Sequence, residues 1–190
     1  MKTKVIFLTF FLTLVSYLAQ KSPSFSTPLP KVNQQISAQN ETLGLPIRLK
    51  IPQINVDAAI EYVGLTSNGA MDVPQKIENV GWFKFGPHPG QRGSAVIAGH
   101  FNGPNGEDGV FINLYKLKSG DKIYTENEKG SPITFVVRES RLYDPGYADD
   151  VFNQSDGAHL NLITCDGVWD GVKKSYSKRL VVFTDLVLDK

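Results

Sequence analysis

Cysteine is the scarcest chemically active residue in this chain: among 190 residues there is one, Cys165. A single thiol excludes an internal disulfide. Histidine is nearly as scarce, with three residues, and no pair of His or Cys falls at metal-ligand spacing. The neighbouring acids Glu107 and Asp108 are too few to argue for calcium. No metal or organic cofactor is therefore expected. Excess charge is lacking too, since 20 Lys and Arg face 19 Asp and Glu for a net +1, which removes the electrostatic case for nucleic acid. With 41% hydrophobic and 21% charged residues, the remainder is ordinary globular material.

Long apolar runs are absent with one exception. Val5–Ala19, VIFLTFFLTLVSYLA, is uncharged, follows Lys2 and Lys4 and precedes Lys21, the charge layout of an export signal or a membrane anchor. Its length of about 15 residues is short of the roughly 20 that span a bilayer comfortably, and also matches a signal-peptide core. Tyr17 spoils a small-x-small cleavage site at Ala19. Residues 1–20 are accordingly read as an uncleaved N-terminal anchor, with a removed signal peptide, and so a secreted protein, as the alternative. Residues 21–44, rich in Ser, Pro, Gln and Asn and without apolar period, read as a flexible linker, and residues 45–190 as the folded domain. The domain should lie outside the cytoplasm, where an unpaired cysteine is a buried inert thiol, half of an intermolecular bridge, or a reactive nucleophile.

From Leu45 onward, short β-branched and aromatic runs alternate with turns. IRLKI (Ile47–Ile51), AAIEYVG (Ala58–Gly64), SAVIAGH (Ser94–His100), DKIYTE (Asp121–Glu126), ITFVVRE (Ile133–Glu139), LNLITC (Leu160–Cys165) and RLVVFTDLVL (Arg179–Leu188) have strand length and composition. Ser67-Asn68-Gly69, Lys118-Ser119-Gly120 and Asp144-Pro145-Gly146 are among the turns between them. Val110–Lys118 fits a short helical face about as well as a strand, and Asp166–Lys178 reads as a loop. The pattern predicts a mainly β domain, a single barrel or sandwich, large enough for a core without disulfides.

Three chemically useful residues sit where such strands meet loops: His100, Cys165 and Arg179. Each has an ordinary structural explanation when taken alone. A lone cysteine is most often a small buried hydrophobe, His100 can be a turn residue, and Arg179, beside Lys178, can be a solvated edge charge. Of the other histidines, His88 lies in a turn. His159 shares a strand face with Cys165 but is six residues away, too far to touch at about 3.3 Å per residue.

In their order and spacing, GSAVIAGH, LITCDG and KRLVVF resemble the sortases, cysteine transpeptidases of the bacterial cell surface. The family's T-L-x-T-C motif reads here Asn161-Leu162-Ile163-Thr164-Cys165, with Asn for the first Thr. The resemblance runs from about Leu45 to Leu188 and includes RLKIPQINVDAAI and GWFKFGPHPGQRGSAVIAGH. It is nearest to the class D, E and F branches, class F slightly preferred. It implies a closed β-barrel of about eight strands with one or two short helices. It further implies that Cys165 attacks an LPxTG-like sorting signal to form a thioester, that His100 moves the proton, and that Arg179 faces the oxyanion, with Thr164 and Asp166 as substrate-binding positions. The loop from Asp144 to Gly157 would wall the peptide groove. Partners would be exported proteins bearing the signal and an amine acceptor, either a peptidoglycan precursor or a pilin lysine. The enzyme would be a monomer at the extracytoplasmic face of the membrane. A non-catalytic sortase-like surface module and an L,D-transpeptidase are the rivals, the latter disfavoured because Leu-Ile-Thr, not Ser-His-Gly, precedes Cys165.

Overall fold

Runs that alternate in the sequence form strands covered on one face, while the unbroken run before His100 forms a strand covered on both. The computed structural model describes residues 43–130 and 132–188. The expected anchor and all but the end of the linker lie outside these residues. Among the described residues no helix is long and apolar enough to cross a membrane.

The strands are β1 (Pro46–Ile51), β2 (Val56–Val63), β3 (Val80–Phe83), β4 (Gly93–Gly99), β5 (Lys122–Asn127), β6 (Pro132–Tyr143), β7 (Ala158–Asp170) and β8 (Ser175–Leu186), with a short helix α1 (Asp149–Phe152) between β6 and β7. They close into a barrel in the order β1-β2-β3-β4-β7-β8-β6-β5. This is the mainly β closed barrel expected. Among the described residues, closure leaves the barrel wall itself without an edge strand.

Three local expectations change. β3, the four residues VGWF, is a strand that the sequence hid between a glycine and two turns. Val110–Lys118 is neither strand nor α-helix; it contains a single 3-10 turn, Leu114–Lys116, and its Phe111 and Leu114 are fully buried in the barrel core. Asp166–Lys178 is not a loop. β7 and β8 run on as a hairpin to Asp170 and from Ser175, stabilised where Trp169 meets Tyr176 edge-on at 5.2 Å between ring centroids. A bulge interrupts this ladder between Asp166 and Trp169. It is possible because Gly167 adopts φ +82°, and Val168 N–H donates to Ser177 Oγ at 3.0 Å.

The interior is filled by Leu49, Ile51, Ile97, Ile123, Phe135, Leu160, Leu162 and Val182, all fully buried. Each such side chain stabilises the fold by about 1.5–3 kcal/mol. A second, smaller cluster lies on the opposite face of the same sheet, where Val96, Val181 and Phe183 pack with Val151 of α1, joined by Met71, Phe83, Phe152 and Ile163. Thus β4 is buried at every position, and from Ala95 to Gly99 its sequence is continuously apolar for that reason.

Gly99 closes β4 where the fit is tightest. A Cβ there would stand 2.4 Å from the ring of Phe111, which has no free space to move into. Gly99→Ala is therefore expected to destabilise the domain by about 1–3 kcal/mol through overpacking. Thermal or denaturant unfolding checks this, and a variant as stable as the wild type contradicts it.

Candidate active site

β7 is flanked by β4 on one side and β8 on the other, and both registers bear on its cysteine. Cys165 is the direct antiparallel partner of Arg179. On the other side the parallel ladder pairs Val96 with Asn161, Ile97 with Leu162 and Ala98 with Ile163. Continued two residues, it brings His100 to the level of Cys165. Adjacent strands lie about 4.8 Å apart, so Cys165 and Arg179 are paired neighbours in the sheet, and His100, the first residue past the end of β4, leaves the sheet at their level. They also share a face. Ile97, Leu162 and Val182 belong to the barrel interior and Val96, Ile163 and Val181 to the outer cluster, and His100, Cys165 and Arg179 continue the outer set by strict alternation. The site is thus on the outside of the barrel, not in its lumen.

The neighbouring positions are put to structural use. Thr164 has the opposite parity, is buried, and donates from Oγ1 to Gly99 O at 2.8 Å, stitching β7 to β4 one residue before the cysteine. Asp166 accepts from Gly167 N–H and so shapes the entry to the bulge. Asn161, the departure from the family motif, is fully buried and donates from Nδ2 to Val151 O at 2.7 Å. It pins α1, and with it the segment 144–157, against the outer face. The sequence offered no sign of this role beyond the substitution itself.

His100 is partly buried and held from two directions. Its carbonyl accepts from Phe111 N–H at 2.9 Å. Its Nε2 lies 2.8 Å from Pro74 O; a carbonyl only accepts, so Nε2 carries the hydrogen and the neutral ring presents its lone pair at Nδ1. Arg179 is tethered by neutral acceptors. Nη1 donates to Tyr176 O at 3.0 Å and Lys178 O at 2.8 Å, and Nη2 to Ser175 Oγ at 3.2 Å. Among the described residues no carboxylate pairs with it, so its charge is oriented and not neutralised. Lys178, one residue away, points elsewhere and pairs with Asp144 at 2.7 Å.

Cys165 is a partly buried free thiol. Burial pushes its pKa up, and the Arg179 charge pulls it back only in part. At neutral pH it is therefore a thiol. The remaining histidines are committed elsewhere. His88 Nδ1 donates to Gly44 O at 3.0 Å. His159, at the far end of β7, is bound by Asp185 and Asp156 at 2.8 Å each.

A sortase-domain family model matches residues 49–187. The chain belongs to the sortase family. Among solved structures, sortase C-1 from Actinomyces oris is similar with a TM-score of 0.60 and 25% identity, over 84% of this chain and 83% of that one. Sortase C1 of Streptococcus agalactiae, in complex with MTSET, gives 0.59 and 25% over 75% and 67%. A Clostridium perfringens sortase D5 transpeptidase shares the fold, at 0.57 and 21% over 84% and 89%. The chain spans 66% of the length of sortase C1 of GBS pilus island 1. No curated protein sequence matches it. These neighbours are of C and D type and lend no support to the class F preference.

The opposed effects on Cys165 make a measurable prediction. Alkylation by iodoacetamide should rise with pH around a midpoint above the ordinary thiol range, and Arg179→Ala should move that midpoint higher still, since it removes the one nearby charge that favours the thiolate. A midpoint unmoved or lowered in the variant contradicts the electrostatic coupling.

Proposed function

We propose that this sortase is an extracytoplasmic cysteine transpeptidase that cuts an LPxTG-like sorting signal between Thr and Gly and joins the acyl fragment to an amine. The observation that carries this reading is the direct pairing of Cys165 with Arg179 across β7 and β8, with His100 brought to the same level by β4.

The chemistry follows from those three groups. The sulfur of Cys165 attacks the Thr carbonyl carbon as its proton passes to His100. Carbonyl electrons move onto oxygen, where the Arg179 guanidinium faces the developing charge, and the Asp166 N–H is a second candidate donor. Collapse breaks the C–N bond, and His100 gives its proton to the departing glycine amine. A thioester remains. An incoming amine then attacks it, loses a proton to His100, and the sulfur leaves to recover that proton as the thiol. Nδ1 is the ring atom suited to this traffic, because Nε2 is occupied by Pro74 O.

The backbone of Thr164 and Asp166 borders the bound carbonyl in this reading, while the Thr164 hydroxyl holds β4 and β7 in register. Residues 144–157 form one wall of the peptide groove. The domain works as a monomer, tethered at the extracytoplasmic face of the membrane through residues 1–20 and a linker of residues 21–44. The acceptor is a peptidoglycan amine or a pilin lysine.

Incubation with an LPxTG-type peptide should give a mass adduct that hydroxylamine removes, and Cys165→Ala should give none. In single-turnover cleavage, Arg179→Ala should lose about 100- to 1,000-fold, the usual cost of an oxyanion donor. Lysine at that position should rescue little, because a point charge does not reproduce the planar fork. Lys178→Ala should change almost nothing, its side chain being engaged with Asp144. Cleavage surviving in Cys165→Ala, or equal small losses for both alanine variants, overturns the assignment.

A further inference from the structure

The carbonyl that fixes the His100 ring belongs to a segment without helix or strand, whose own structure is a short turn closed by the Leu65–Met71 bridge. Residues 64–79 leave the end of β2 and return to the start of β3, which runs parallel to it, so they strap along the outside of the barrel. A strap of this length needs an external reason for Pro74 O to sit within 2.8 Å of His100 Nε2. Two contacts supply it. Val110 N–H donates to Ile77 O at 3.1 Å, tying the strap to the loop that also holds the His100 carbonyl. The second is Glu61 of β2, whose carboxylate receives Gln75 N–H at 2.7 Å, Lys76 N–H at 3.2 Å and Asn79 Nδ2 at 2.9 Å. Gln75 and Lys76 are the two residues that follow Pro74, so these bonds fix the peptide that bears the carbonyl.

Resting on the transpeptidase reading above, we infer that Glu61 is a positioning residue for His100: its carboxylate clamps the 74–79 backbone, which holds the Pro74 carbonyl on Nε2–H and so keeps the lone pair of the neutral ring on Nδ1. The chain of contacts runs from Glu61 to Gln75 and Lys76, through the peptide to Pro74 O, and through the imidazole to its far side. Glu61 itself never meets the substrate. Its ionised form is suited to the task, because an anion accepts all three donors and offers none that would oppose them. Burial pushes the Glu61 carboxyl up, but the hydrogen bonds from Gln75, Asn79 and Lys76 outweigh it and hold the group below the usual carboxylate range. Without the clamp, the imidazole is free to place its hydrogen on Nδ1, which removes the lone pair from the nitrogen that the mechanism uses.

The test uses the described domain with 15N-labelled histidine and three forms, wild type, Glu61→Ala and Glu61→Gln. Two-bond proton–nitrogen couplings distinguish the Nε2–H from the Nδ1–H tautomer of His100. The wild type should give the Nε2–H pattern. Glu61→Ala should mix the tautomers and lower kcat on a fluorogenic LPxTG-type peptide by about 10- to 100-fold, less than the roughly 100- to 10,000-fold of a whole general acid–base contribution because part of the population keeps the working tautomer, while KM changes less than about 2-fold. Glu61→Gln should fall between, since its amide oxygen still accepts from Gln75 N–H. A folded Glu61→Ala with the wild-type tautomer and wild-type kcat overturns the inference. If that variant does not fold, Glu61→Gln decides on the same two readouts. A wild type that cleaves no sorting signal while its His100 tautomer still responds to Glu61 overturns the transpeptidase reading and leaves the positioning role standing.

Discussion

Everything at the site depends on the register of β7 between β4 and β8. A slip of one residue would turn Cys165 into the barrel core and Thr164 outward, and would separate the thiol from Arg179 and His100 together. Two buried hydroxyls guard against this. Thr164 Oγ1 donates to Gly99 O on the β4 side, and Thr184 Oγ1 donates to Leu160 O at 2.7 Å on the β8 side. Each contributes only about 1 kcal/mol on average, yet each also forbids the neighbouring registers, because a slipped strand would bury the same hydroxyl without a partner. Apolar packing adds to the constraint. The sheet is covered on its inner face by the core and on its outer face by α1, so neither face tolerates the other's side chains.

How the outer face came to hold both a small core and the candidate site follows from where its cover stops. The segment 144–157 is fastened by three kinds of contact: Asn161 to Val151 O, Val151 within the apolar cluster, and Asp150 to Arg141 and Tyr143. It shields Val96, Ile163, Val181 and Phe183 but leaves Cys165 partly exposed. The strap of residues 64–79 approaches from the other side and meets His100. Between the two connections the sheet presents a strip in which the cysteine, the imidazole and the guanidinium are reachable from solvent. Loops on a rigid scaffold carry the access, and strands carry the precision.

Much of this was legible in the residues. The alternation of Ile47–Ile51, the β-branched composition of Ile133–Glu139, the unbroken run before His100, and the positions of Cys165 and Arg179 near the ends of apolar runs all translate directly into paired strands. β3 was not legible, because a four-residue strand containing Gly81 has no period long enough to read. The continuation of β7 and β8 past the cysteine was masked by Gly167 and Gly171, which signal turns in a sequence and here serve a bulge and the hairpin tip. α1 is a single turn whose stability comes from Val151 in the outer cluster, not from its own propensity. The supporting residues were invisible for a different reason. Nothing in the local sequence of Pro74, Glu61 or Ser175 indicates which distant atom it will meet.

The state of Cys165 at rest bears on how long such an enzyme lasts. Peroxides attack the thiolate, and oxidation of an exposed low-pKa cysteine proceeds through sulfenic acid toward forms that cannot be recovered. A sulfenic acid is ordinarily rescued by a second thiol, and this chain has none. Burial that pushes the Cys165 pKa up, with Arg179 only partly opposing it, keeps the sulfur protonated at neutral pH. A sulfur held as the thiol is thereby slower to oxidise, which counts for more in a chain that carries a single cysteine.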